Sequence, residues 1–181
     1  MSLFFSSDYH FFHANVIKYC NRPFTSVEDM NETMIVNHNS KVSPNDTTYM
    51  LGDIAFVKNI NDAIKVLNRM NGKKVLITGN HDSRNLKIQE FRSCFELISP
   101  LLEVKVDNQL IVLCHYSMNC WNKSHHKSFH LFGHSHGSMP DNPNSLSFDV
   151  GVDTNNFYPY SYNEVVQRMS TKKFIPIDHH E

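Results

Sequence analysis

The chain predicts an α/β fold, and three observations carry that expectation. Short apolar runs each end directly at a segment rich in histidine, aspartate or asparagine. Segments of helical periodicity separate the runs, and glycine or polar residues punctuate the junctions. Strands alternating with helices build α/β architecture, and open α/β sheets carry their sites beyond the carboxyl ends of the strands.

In chain order, Leu3-Phe4-Phe5 leads to Asp8, and Ser26 with Asp29 makes a capping arrangement for a helix over about residues 27–40. Thr48 to Leu51 leads to Gly52-Asp53. Residues 61–70 place Ala63, Ile64, Leu67 and Met70 at helical spacing, and Asn71-Gly72 ends that helix. Lys74 to Thr78 leads to Gly79-Asn80-His81, and Leu110 to Cys114 leads to His115. Asp107-Asn108-Gln109 lies between two alternating runs and reads as a hairpin turn. Phe148 to Asp153 reads as a strand end that would bring Asp149 and Asp153 near the other motifs in structural or ligand-supporting roles. Ser161 with Glu164 caps a last helix over residues 164–169. No repeat, linker or low-complexity stretch interrupts this pattern, so a single domain over residues 1–181 is expected.

Composition narrows the class. A hydrophobic content of 40%, a charged content of 19% and a net charge of −1 describe an ordinary globular chain. That charge gives no global attraction to nucleic acid or to an anionic membrane, so any nucleic-acid contact is expected to be local. No stretch has the length of a membrane-spanning helix, and residues 1–10 show no cationic leader. Cys20, Cys94, Cys114 and Cys120 form no C-x-x-C pair. The expectation is a cytoplasmic protein with reduced thiols. Histidine is the exception to this plainness, with 12 in 181 residues.

Asp8-Tyr9-His10, Gly52-Asp53, Gly79-Asn80-His81-Asp82, His115 and Gly133-His134-Ser135-His136 follow one another in fixed order. They offer oxygen and imidazole ligands and no thiolate, enough for two adjacent metal ions. If the segments are extended, Asp8 and His10 project to one side, as do His134 and His136. Gly52, Gly79 and Gly133 would let the backbone approach the metals closely. Mixed imidazole, carboxylate and amide donors suit manganese best, with iron, zinc or nickel as substitutes.

This order and spelling resemble the calcineurin-like metallophosphoesterase superfamily, whose pattern runs D-x-H, G-D, G-N-H-[DE], a lone His and G-H-x-H. The resemblance spans residues 8–136 and implies a four-layer αββα sandwich, two mixed β-sheets flanked by helices, with a dinuclear metal site at the strand ends. It implies that Asp8, His10, Asp53 and His136 hold one divalent ion. Asp53 would bridge to a second, completed by Asn80, His115 and His134, with the ions about 3.5–4 Å apart. It also implies in-line attack on phosphorus by a hydroxide between the metals, with His81 protonating or stabilising the leaving oxygen. The Gly79-Asn80-His81-Asp82 spelling departs from the GNHE of the protein phosphatases, and Gly52-Asp53-Ile54 lacks their Asp-Arg-Gly continuation. With no insertion long enough for a DNA-capping domain, the chain looks like the small uncapped phosphodiesterases. The expected substrate is a small, nucleotide-derived phosphodiester. The alternatives are a phosphomonoesterase of the same mechanism and a noncatalytic protein-binding scaffold.

Several residues keep two readings. His13 could tune the first metal or touch phosphate, or merely start the following helix. Asp82 could orient a loop or imidazole, or stabilise a turn. Trp121 could stack on a base and His125 could meet a phosphate oxygen, or this stretch could be an aromatic packed beneath a long loop with His126 and His130. His179 and His180 are given no role.

Overall fold

The computed structural model describes residues 1–177; residues 178–181, with His179 and His180, lie outside it. Two mixed sheets pack face to face. The first runs β4-β3-β2-β1-β9: β1 (Leu3–Ser6), β2 (Thr47–Met50), β3 (Lys73–Ile77) and β4 (Leu97–Ser99) are parallel, and β9 (Tyr160–Ser161) is antiparallel to β1. The second runs β5-β6-β7-β8: β5 (Leu101–Val106) forms an antiparallel hairpin with β6 (Gln109–Cys114), and β6, β7 (Phe129–Phe132) and β8 (Ser147–Asp149) are parallel. Each sheet therefore contributes a parallel set, and both sets end at one rim.

Both faces of the first sheet are buried, which explains its near-continuous apolar strands. Side chains alternate across a strand, so neighbours serve different cores. Met50 and Leu76 meet α1 (Ala14–Tyr19), α2 (Val27–Lys41), α3 (Ile60–Arg69) and α4 (Gln89–Arg92) through Val16, Met30, Met34, Leu67 and Phe91. Phe5, Leu51 and Ile77 point the other way, into a core shared with Ile111, Leu113, Leu131 and Phe148 of the second sheet. The helix α5 (Tyr162–Ser170) adds Val165 and Met169 to that inter-sheet core, and Arg168 lies 4.5 Å over the Phe148 ring. The outer face of the second sheet, with Val112 and His130, is covered by a thin layer: Trp121 and a 3₁₀ turn at Ser124–His126.

Helix starts follow their side chains. Ser26 accepts from the Asp29 N–H at the head of α2, and Ser161 with Glu164 forms a capping box on α5. The turn at residues 107–108 joins β5 to β6, with Asp107 at φ +53°. Among the described residues no helix is long and apolar enough to cross a membrane, and the four cysteines are unpaired.

Candidate metal centre

The rim gathers the five histidine- and aspartate-bearing segments of the sequence. Asp8 follows β1, Asp53 follows β2, Asn80 and His81 follow β3, His115 follows β6, and His134 and His136 follow β7. Backbone bonds tie these loops together: Asp8 N to Gly52 O (3.1 Å), His10 N to Asp53 O (3.0 Å) and Gly133 N to His115 O (2.9 Å).

Same-side projection is not achieved by extended backbone, as the spacing alone suggested. Asp8, His10, Asp53, His134 and His136 all have φ between +49° and +68°. A left-handed residue reverses the chain direction locally, so D-x-H and H-x-H turn both ligands inward by curling around the intervening residue. The glycines act by close approach, as expected. A Cβ on Gly79 would stand 2.3 Å from Asp53 Oδ1, and one on Gly133 would stand 2.0 Å from Ser7 Oγ.

The ligand atoms converge on Asp53. Its Oδ2 lies 3.6 Å from His10 Nε2, 3.7 Å from His115 Nε2 and 3.9 Å from His81 Nε2. On one side, Asp8 Oδ1 stands 3.9 Å from both His10 Nε2 and His136 Nε2. On the other, Asn80 Oδ1 stands 3.0 Å from His115 Nε2 and 3.1 Å from His134 Nδ1. Two Asp and His groups are close enough for shared coordination: Asp8, His10 and His136, and Asp8, Asp53 and His115.

Three observations show that divalent cations fit. Asp8 Oδ1 and His10 Nε2 are buried and have no hydrogen-bond partner, a costly condition for polar atoms unless an ion completes it. His115 Nδ1 lies 2.6 Å from Leu51 O; a carbonyl only accepts, so Nδ1 carries the proton and Nε2 a lone pair. That lone pair faces Asn80 Oδ1 at 3.0 Å, an arrangement that a shared cation would satisfy. Likewise, His136 donates from Nδ1 to Asp153 Oδ2 at 2.8 Å, which leaves Nε2 turned toward Asp8.

Charge follows burial. Asp8 is pushed up to about 7, chiefly by burial, against the pull of His136 and His115. Burial lowers His10 to about 2, with His136, Arg22, His13 and His81 adding to it. Burial also opposes a charge on His136, but the bond to Asp153 and the nearby Asp8 outweigh it and hold it above the usual imidazole value.

Asp82 is fully buried and takes three backbone N–H groups: Asp53 (2.9 Å), Gly79 (2.8 Å) and Ile54 (3.0 Å). It clamps the loops after β2 and β3 to each other. Asp149 does the same for the loop after β7, accepting from Ser135 Oγ (2.6 Å) and Gly137 N (2.9 Å). His13 both starts α1, without a capping bond from its side chain, and reaches His10, Nδ1 to Nδ1, at 3.4 Å.

The structure does not bring Trp121 to this cluster. Its indole is buried, donates to Ser128, and packs on His130 at 5.2 Å, so it is the aromatic beneath the loop. His125 lies exposed in the 3₁₀ turn with its ring on His126 at 4.1 Å. His130 is buried, with Nδ1 on Val112 O (3.0 Å) and Nε2 accepting from Met118 N (3.2 Å), which fixes the loop after His115.

Three contributors were not foreseen. Arg22, 4% exposed, forks onto Asp153 (2.7 and 2.8 Å) and donates to Asp8 O (2.7 Å) and Tyr9 O (3.0 Å). Phe56 stacks on His13 (4.2 Å) and His10 (5.0 Å) and meets His81 (4.7 Å). Tyr116, half exposed, stands against His115 (5.1 Å) and His134 (4.9 Å). The Gly52 to Phe56 segment contained the signal for Phe56, an aromatic directly after a ligand loop; Arg22 had none.

Comparison with known proteins finds relatives along nearly the whole chain. No protein-family model matches it. The uncharacterized protein MJ1445 of Methanocaldococcus jannaschii is 34% identical over 179 residues, covering 96% of this chain and 94% of the relative. A protein of unknown function from Aquifex aeolicus, AQ665, superposes with a TM-score of 0.72 at 21% identity, over 92% of this chain and 98% of that one. A structure described as a novel archaeal phosphodiesterase superposes with a TM-score of 0.50 at 15% identity, over 83% and 82% of the two chains.

Proposed function

The chain belongs to one family with MJ1445, and we propose that it is a calcineurin-like metallophosphoesterase, a metal-dependent phosphodiesterase acting on a small, nucleotide-derived diester. The observation that carries this reading is the convergence on Asp53. Four imidazoles, two carboxylates and one amide, from five loops, bring nitrogen and oxygen atoms within 3.0–3.9 Å of one another, pair by pair, beside an exposed His81. A diester is proposed ahead of a monoester on the likeness to the archaeal phosphodiesterase.

Divalent ions held by Asp8, His10, Asp53, Asn80, His115, His134 and His136, manganese in the first instance, would polarise a phosphoryl group and lower the pKa of water. The chain's own residues do the rest. Asp153 and Leu51 O orient the rings of His136 and His115, so that both turn Nε2 inward. Asp82 holds the His81 loop in register with Asp53, and His81 N donates to Asp53 Oδ1 at 2.9 Å. The His81 ring, about half exposed, is placed at the mouth of the centre to give a proton to the leaving oxygen.

The test compares metal-loaded and chelated protein on bis-p-nitrophenyl phosphate and p-nitrophenyl phosphate. Metal-dependent diester cleavage is expected, with kcat about 10²–10⁴-fold lower in His81→Ala. A faster monoester reaction would replace the diesterase by a phosphomonoesterase. Unaltered turnover in His81→Ala would remove the proton-donor role.

A further inference from the structure

Beside Asn80 and His81, two adjoining hollows that share four lining residues form a single groove. The first, of about 450 Å³, begins at Asn80 and His81 and is walled by Phe56, Lys58 and Arg84. The second, also about 450 Å³, shares Val57, Lys58, Arg84 and Asn85 with it and continues to Lys87 and Ile88. Among the described residues, no aspartate or glutamate lines either hollow.

The charges here are uncompensated. Arg22, Lys41, Lys65, Arg69, Lys73, Arg168 and Lys172 each pair with a carboxylate. Lys58, Arg84 and Lys87 are exposed, and among the described residues none of them makes an ion pair. The walls are nevertheless fixed. Asn85, buried, donates from Nδ2 to Ala55 O at 2.8 Å, joining the segment after β3 to that after β2. Asp82 joins the same two segments at their roots. A firm channel lined by unpaired cations holds a strong attraction for multiply charged anions, because the cations give up no partner to bind.

We infer that the leaving group of the substrate carries a further phosphate, which seats between Lys58 and Arg84. The inference rests on the phosphodiesterase reading and deepens it. His81 marks the side from which the leaving oxygen departs. A water oxygen joins phosphorus, the bond from phosphorus to the leaving oxygen breaks, and His81 supplies that oxygen's proton and regains one from the water. The departing fragment then lies along the groove, where a phosphate on it meets Arg84, in the same turn as His81, and Lys58 opposite.

Two measurements on the metal-loaded full chain test this. The first compares thymidylyl-thymidine with and without a 5′-phosphate, which differ only in one dianion on the fragment released by cleavage at the 3′-oxygen. The added phosphate is expected to raise kcat/KM at least about tenfold, and Lys58→Ala/Arg84→Ala is expected to erase that advantage. An advantage that survives in the double variant, or none in the wild type, overturns the inference. The second is calorimetric: tripolyphosphate should bind more tightly than orthophosphate, by a ratio that falls about tenfold in the double variant. If the wild type cleaves neither dinucleotide, cleavage of bis-p-nitrophenyl phosphate decides the phosphodiesterase reading, which fails if that diester is also untouched. The calorimetric ratio then decides the groove by itself, and an unchanged ratio overturns it.

Discussion

Around Asp53 the centre divides into an inner half, Asp8, His10 and His136, and an outer half, Asn80, His115 and His134, and the two are supported by different means. The inner half is sunk into the molecule, with Asp8 at 0% and His10 at 4% exposure. Behind it lies a charge relay in which Arg22 holds Asp153 and Asp153 holds His136. In the outer half only His115 is buried, and its support is a carbonyl, Leu51 O, while Asn80 and His134 face solvent. The difference separates two duties. A cation in the inner half would be insulated and held by fixed charges, whereas one in the outer half would remain open to an incoming phosphoryl oxygen.

The largest expected effect breaks the relay. Arg22→Ala removes a buried guanidinium and leaves Asp153 only His136 as a partner, and should lower unfolding stability by about 3–5 kcal/mol, measured by urea denaturation of chelated protein. His134→Ala, at an exposed ligand, should move the same curve by no more than about 0.5 kcal/mol. Equal losses would abolish the distinction between the halves.

A second expectation separates the scaffold's acid response from that of the centre. His38, buried in α2, bonds to Asn71 O at 3.0 Å, and burial lowers it to about 4. The unfolded chain takes up that proton near 6.5, so His38's contribution is complete above pH 6.5 and is lost as pH falls toward 4. The loss amounts to about 3 kcal/mol. In chelated protein, His38→Gln should flatten the stability curve across that window. A slope equal to that of the wild type would assign the acid response to other groups.

The smallest effect is the most selective. Asp153→Asn keeps a hydrogen-bonding oxygen but removes the charge behind His136, and should weaken one of two metal-binding steps about 10–100-fold while sparing the other. Isothermal titration with Mn²⁺ would resolve this, and parallel weakening of both steps would refute separate support.

Much of this was legible in the chain. Local signals placed α2 and α5 through Ser26 and Ser161, and ended α3 at Asn71-Gly72. The ligand segments followed β1, β2, β3 and β6 as expected, because a strand that stops at a glycine or a turn declares itself within a few residues. The strands β4, β7 and β9 went unread: the first and last are three and two residues long, and β7 carries His130 on its outer face. Arg22 could not be read, since its meaning comes from Asp153, 131 residues away. The left-handed turns were equally silent, because Asp and His adopt either hand of backbone and only tertiary contacts choose.

Those turns have a consequence for how the molecule would change under selection. Each of the five ligands held at positive φ stores backbone strain, of order 1–3 kcal/mol for a residue in such a region, that glycine in its place would release. Heat resistance and metal binding therefore pull these positions in opposite directions. A population of variants propagated for thermal survival alone should lose its histidines and aspartates at the rim before it alters Leu51 or Ile77 in the interior.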